Sequence, residues 1–99
     1  MSVTVRATAT KPSGVQWWSK VNPENLQAHL EEKAWTEQQP GFISRESVIV
    51  SENVSTLTVS FDTVEDYRAY YLARQASPTG IARGEYSAAN NIVSTFTYL

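Results

Sequence analysis

The apolar pattern of this 99-residue chain changes period in a fixed order, and that order leaves few folds open. Val3, Val5, Ala7 and Ala9 alternate with Thr4, Arg6, Thr8 and Thr10, the period of two of a half-buried strand. Lys11-Pro12-Ser13-Gly14 breaks it. Val15 to Val21, with Trp17 and Trp18, is compatible with a short helical turn. Asn22-Pro23 is a helix start, Asn as N-cap and Pro at the first helical position, and predicts a helix from about Pro23 to Gln38. Leu26, Leu30 and Ala34 make its expected inward line, with Glu31, Glu32 and Glu37 facing water. Trp35 projects almost opposite that line, which marks it for a second contact surface. Gln39-Pro40-Gly41 ends the helix.

Phe42 to Val50 reads as a strand, with Ile43 and Ile49 on one side and Phe42, Val48 and Val50 on the other. Ser51-Glu52-Asn53 turns into Val54 to Phe61, where Leu57, Val59 and Phe61 alternate with Thr56, Thr58 and Ser60. Asp62, with Glu65 three positions on, starts a second helix running to about Ala76. Its expected inward stripe is Val64, Tyr67, Tyr71 and Leu72, with Tyr70 and Ala73 on the far side. Ser77-Pro78-Thr79-Gly80 closes it, and Ile81 to Asn91 reads as irregular or briefly helical. Ile92 to Leu99 is a last strand apolar on both faces, so cover is expected on both.

Strand, helix, strand, strand, helix, strand predicts an α+β domain spanning 1–99. The simplest packing is ferredoxin-like βαββαβ, a four-stranded antiparallel sheet with two helices on one face. A chain this short buries only about 60–65% of its unfolded surface, so its core is modest. The net charge is −2 and no Lys/Arg block exists, which argues against nucleic acid. Without cysteine there are no disulfides, thiolate metal sites or thiol nucleophiles. No apolar run reaches membrane-spanning length and the N-terminus lacks a signal-peptide core. A cytoplasmic protein with no membrane partner is expected.

Three stretches carry a family resemblance. Pro40-Gly41-Phe42-Ile43-Ser44 leads into the second strand, Val59 to Tyr67 joins the third strand to the second helix, and Ser77-Pro78 closes that helix. Together they resemble the dimeric α+β barrel superfamily, in particular its antibiotic-biosynthesis-monooxygenase-like group. The resemblance implies a homodimer whose two sheets face each other, and a pocket between each sheet and its helices. The chain departs from the group where chemistry is concerned. Enzymatic members often place a His in the second helix shortly before the Ser-Pro, but Tyr70 to Gln75 has none. The haem-degrading branch needs an Asn late in the first strand and a His–Trp pair, and neither is present. No family catalytic residue carries over.

The residues themselves leave five pocket candidates: Trp17, Trp18, His29, Tyr67 and Tyr71. His29, the only imidazole, has the chemistry of a general base or an axial haem ligand. Its ordinary reading is a boundary residue with one polar contact. Tyr67 and Tyr71, four apart, can line an aromatic pocket or simply pack the core. Trp17 and Trp18 suit a pocket rim or a cap on the core. Arg45, Glu46, Arg83 and Glu85 read as solvated surface charges. Gly80 and Gly84 make no phosphate loop. Neighbours such as Glu31/Glu32 and Glu65/Asp66 diverge by about 100° on a helix, so they form no acid–base dyad. No metal and no cofactor are expected. Two functions fit best: a homodimer that binds a small apolar or aromatic ligand or serves structurally, without clear catalytic residues, and a cofactor-free monooxygenase-like enzyme acting on such a molecule. A regulatory or RNA-binding ferredoxin-like module fits the charge poorly.

Overall fold

A computed structural model describes all 99 residues. The elements are β1 (Val3–Thr10), α1 (Trp18–Val21), α2 (Pro23–Glu37), β2 (Phe42–Ser51), β3 (Val54–Phe61), α3 (Val64–Ala76), α4 (Pro78–Ala89) and β4 (Val93–Tyr98). The strands form one sheet in the order β2-β3-β1-β4, antiparallel throughout. This is the ferredoxin-like arrangement expected from the period order. It carries a longer helix than expected there: the stretch read as irregular or briefly helical is the 12-residue α4. Ser77 is the reason. Its Oγ accepts from Gly80 N at 3.0 Å while Pro78 takes the first helical position, so Ser77-Pro78 ends one helix and starts the next. The same chemistry starts α2, where Asn22 Oδ1 accepts from Asn25 N at 2.9 Å.

Register sorts the side chains. Val3, Val5 and Ala7 sit opposite Phe61, Val59 and Leu57, and Val5 and Ala7 also oppose Tyr98 and Phe96 on β4. These positions face the helices. The other sheet face is rich in hydroxyls: Thr4 Oγ1 meets Ser60 Oγ at 2.8 Å, and Arg6 Nε donates to Thr58 Oγ1 at 3.0 Å. β2 departs from the expected alternation. An irregularity at Ile43 puts Phe42 opposite Phe61 and Arg45 opposite Val59, so Phe42 shares its face with Arg45, not with Val48. Gly41 prepares this step. Its φ is +78°, and an added Cβ would strike the Asp66 side chain, so only glycine fits the Pro-Gly-Phe entry.

The core is a ring cluster. Phe61 is fully buried and packs on Tyr70 with 4.9 Å between centroids, on Phe42 at 5.9 Å and on Tyr67 at 6.3 Å. Val5 and Val59 complete it from the sheet. α3 therefore turns Tyr67 and Tyr70 inward, leaves Tyr71 half-buried and leaves Leu72 66% exposed, which corrects the expected stripe. Its N-cap is Thr63, whose Oγ1 accepts from Asp66 N, one residue past the expected Asp62.

α2 is turned the other way round from its apolar line. Leu26 and Leu30 are 44% and 50% exposed, while His29, Glu32, Trp35 and Thr36 face inward. Trp35, expected on an outer surface, stacks on Tyr70 with 5.8 Å between centroids. What the other helices present decides this orientation: α3 offers Trp35 a ring, and α3 with α4 offer Glu32 two guanidinium groups. An inward-facing carboxylate is tolerated only with such partners.

Candidate functional site

An apolar slot lies between the sheet and α3. Tyr67, Tyr70 and Tyr71 cover Val5, Ala7, Leu57 and Val59, and Phe96 closes one side. Arg74 is its only charged lining residue. Tyr71 meets Phe96 edge-on at 5.5 Å, and Tyr67 meets Tyr98 at 6.0 Å. With these rings in place the slot encloses about 10 Å³, room for about one water. The pocket expected beside Tyr67 and Tyr71 is thus largely filled by their own side chains. Burial, reinforced by the neighbouring Tyr98, Tyr70 and Tyr71 hydroxyls, pushes the Tyr67 phenol up to about 12, so it stays protonated at neutral pH.

Beyond Arg74 the interior becomes ionic. Arg74 Nε donates to Glu32 Oε1 at 3.1 Å. Arg83 from α4 donates in bidentate fashion, Nη2 to Oε1 at 2.8 Å and Nη1 to Oε2 at 3.3 Å. Burial works against the Glu32 charge, but the pull and hydrogen bonds of Arg74 and Arg83 prevail and hold its carboxyl below the usual range. The triad ties α2, α3 and α4 together. Arg83 and Glu32, expected in water, are both largely withdrawn from it, with side-chain exposures of 23% and 12%. Arg83 also lies over the Trp18 ring, 5.1 Å from its centroid.

Arg45 is the third cation. It stands on the helix-facing side of β2, is half-buried rather than solvated, and pairs with no carboxylate. Burial, with repulsion from Arg74, lowers its pKa. His29 on α2 faces the same layer. Burial first, then Arg45, Arg83 and Arg74, push its pKa down against a weaker opposing pull from Glu32, so the imidazole is neutral at pH 7. The layer holds three guanidinium groups against one carboxylate.

The five expected pocket residues do not gather in one place. Tyr67 and Tyr71 line the slot, and His29 lies in the ionic layer. Trp18 is buried beneath Arg83, and Trp17 lies apart, its ring 5.3 Å from Lys11 Nζ. Arg74 joins the first two places, because it both lines the slot and reaches Glu32. Sequence reasoning missed Glu32, Arg45, Arg74 and Arg83. Two signals for them were present: the Ser77-Pro78 cap, which puts Arg83 on a helix, and the three-residue step from His29 to Glu32, which puts both on one face. A second, open cleft of about 190 Å³ lies between α2 and the start of α4, with Trp35, Glu31 and Ser77 in its wall. No three His, Asp or Glu side chains gather as metal ligands.

Similar structures share the whole fold. SnoaB from Streptomyces nogalater, a cofactor-independent oxygenase, superposes with a TM-score of 0.62 at 15% identity, over 99% of this chain and 90% of its own. A candidate antibiotic biosynthesis monooxygenase from Nitrosomonas europaea gives 0.66 at 9% identity, over 99% and 88%. Another from Caulobacter crescentus gives 0.65 at 14% identity, over 99% and 87%. No family sequence model and no curated protein matches the chain. The fold is therefore that of the antibiotic-biosynthesis-monooxygenase structures, as the Pro-Gly-Phe resemblance implied. At these identities the likeness speaks for fold alone. No helix is long and apolar enough to cross a membrane.

Proposed function

We propose that this chain is a small-ligand-binding homodimer that holds an apolar or aromatic molecule in the slot between its sheet and α3. The observation that carries the reading is the incomplete cover over that slot. Phe96 is 44% exposed, Leu57 and Tyr71 are half-buried, and the small Ala7 leaves the slot floor low. Rotation of Phe96 and Tyr71 outward would open an apolar chamber with Arg74 in its wall. The dimer reading rests on the uncovered hydroxyl-rich face and on an edge strand, β4, exposed along its whole length. A cytoplasmic setting suits a chain without cysteine.

One observation favours a second reading, the cofactor-free oxygenase that the SnoaB description names for that protein. His29 is held neutral beside three arginines, the right form to accept a proton from a substrate whose anion the arginines would then stabilise. The chain carries none of the residues that the enzymatic members of the resembled group use, which weighs against it, so ligand binding stands first.

Two measurements test the proposal. Light scattering at micromolar concentration is expected to give twice the monomer mass, and a monomer would sink the dimer. Calorimetric titration with 2-naphthylmethanol, a neutral aromatic probe, is expected to show binding that Ala7→Leu abolishes by filling the slot. Absent binding, or binding indifferent to Ala7→Leu, would remove the ligand from this place.

A further inference from the structure

We infer that the slot's ligand is an anion, an aromatic or apolar carboxylate whose ring lies among Tyr67, Tyr71 and Leu57 and whose oxyanion is taken by Arg74 and Arg45. The inference rests on the ligand-binding reading of the slot and adds the charge of what it binds.

Unused donors and uncompensated charge point to an anion. A guanidinium carries five N–H donors in a planar fork. Glu32 takes one from Arg74 and two from Arg83. Arg74 therefore keeps four donors, and it is the residue that also lines the slot. Arg45 makes no side-chain hydrogen bond and no ion pair, although it is half-buried and faces the helix layer. Within the layer three guanidinium groups stand against one carboxylate and a neutral imidazole, an excess of two positive charges; Glu37 also pulls on Arg45, but it is exposed and already paired with Lys33. Partly desolvated like charges without a counter-ion are unfavourable, and a planar carboxylate is the species that guanidinium forks match best. Glu32 shows within the molecule how this layer receives one.

The apolar lining sets the rest of the ligand. Only Arg74 among the nine residues around the slot is charged. A small polar anion such as phosphate would gain from the arginines but leave the tyrosine-lined chamber wet. An aromatic acid uses both ends. Glu32 remains in place, because the donors offered to the ligand are those it does not use.

The test compares 2-naphthoate with 2-naphthylmethanol at pH 7 by calorimetric titration of the full chain. Naphthoate is expected to bind at least tenfold more tightly, a preference that shrinks as salt is raised. Arg45→Gln leaves the triad intact and is expected to remove most of the preference while leaving the alcohol's affinity within twofold. If the two probes bind alike, or if the preference survives Arg45→Gln, the anion inference is overturned while the apolar slot stands. If neither probe binds, the slot reading falls and takes the inference with it.

Discussion

The two halves of the helix–sheet interior are built on opposite principles. Around Phe61 the contacts are rings and branched aliphatics, none with a charge, and the buried area itself stabilises the fold. Around Glu32 the contacts are charges whose attraction first has to offset their own desolvation. The aromatic half tolerates approximate shape but punishes lost volume. The ionic half tolerates lost volume but punishes a missing partner. A small domain with a modest core keeps such an ionic layer at a cost in stability, which fits a layer with work to do.

The largest effect expected from breaking this contrast lies in the aromatic half. Truncation of Phe61 does the most damage because it is fully buried among the five residues of the core. Phe61→Ala is expected to cost about 4 kcal/mol, enough to leave so small a domain largely unfolded. Phe61→Leu keeps most of the volume and is expected to cost about 1.5 kcal/mol. Urea denaturation at one fixed protein concentration separates the two, since a dimer's stability depends on concentration. Equal losses from both variants would mean that ring geometry, not volume, holds this half.

In the ionic half, Glu32→Gln keeps the shape and removes the charge. It leaves Arg74 and Arg83 with no counter-ion and is expected to cost about 2 kcal/mol, below the figure for a fully buried pair because the guanidinium groups retain some exposure. Replacing Glu32, Arg74 and Arg83 together with Leu, Met and Met is expected to recover most of that loss. This is the outcome that distinguishes an ionic layer kept for function from one kept for stability.

Acid separates the halves without mutation. The Glu32 carboxyl is depressed in the folded state, so its contribution is present above the ordinary carboxylate pKa and is lost as pH falls through the lowered value. His29 is also depressed, so the unfolded chain takes up a proton first and stability declines as pH drops below about 6.5. Tyr67 acts at the other extreme. Its contribution is complete below about 10 and lost as pH rises toward about 12. Denaturation midpoints between pH 3 and pH 8 are therefore expected to rise with pH, and Glu32→Gln is expected to flatten the acidic part of that slope. A slope unchanged in the variant would show that other carboxylates set it.

The same contrast governs what the sequence discloses. Strand alternation placed Val5, Val59 and Phe61 correctly, and the Asn22-Pro23 cap placed the start of α2, because both depend on neighbours in the chain. The facing of α2 was not readable that way. Its Leu26–Leu30 line satisfies the apolar rule, yet the helix turns Trp35 and Glu32 inward because their partners, Tyr70, Arg74 and Arg83, lie about 35 to 51 residues further on. Arg45 was misread for a more local reason: the irregularity at Ile43 moves it to the helix side, and an extra residue in a strand leaves no compositional mark. The site is legible only once distant charges are known to meet.

The smallest expected effect tests whether the ionic half depends on how α4 is started. Ser77 Oγ accepts from Gly80 N at 3.0 Å and lies 2.8 Å from Arg74 O, the last turn of α3. One hydroxyl thus fixes both the end of the helix that carries Arg74 and the start of the helix that carries Arg83. Gly80 belongs to the same joint, because an added Cβ would strike the Arg74 carbonyl oxygen. Ser77→Ala is expected to cost about 1 kcal/mol as a lost cap. If the joint also sets the distance between the two guanidinium groups, the variant should lose part of the 2-naphthoate preference as well, whereas Thr63→Ala, the equivalent cap at the start of α3, should cost similar stability and leave the preference unchanged. A preference that falls equally in both variants would mean that general loosening, not the α3–α4 joint, controls the arginines.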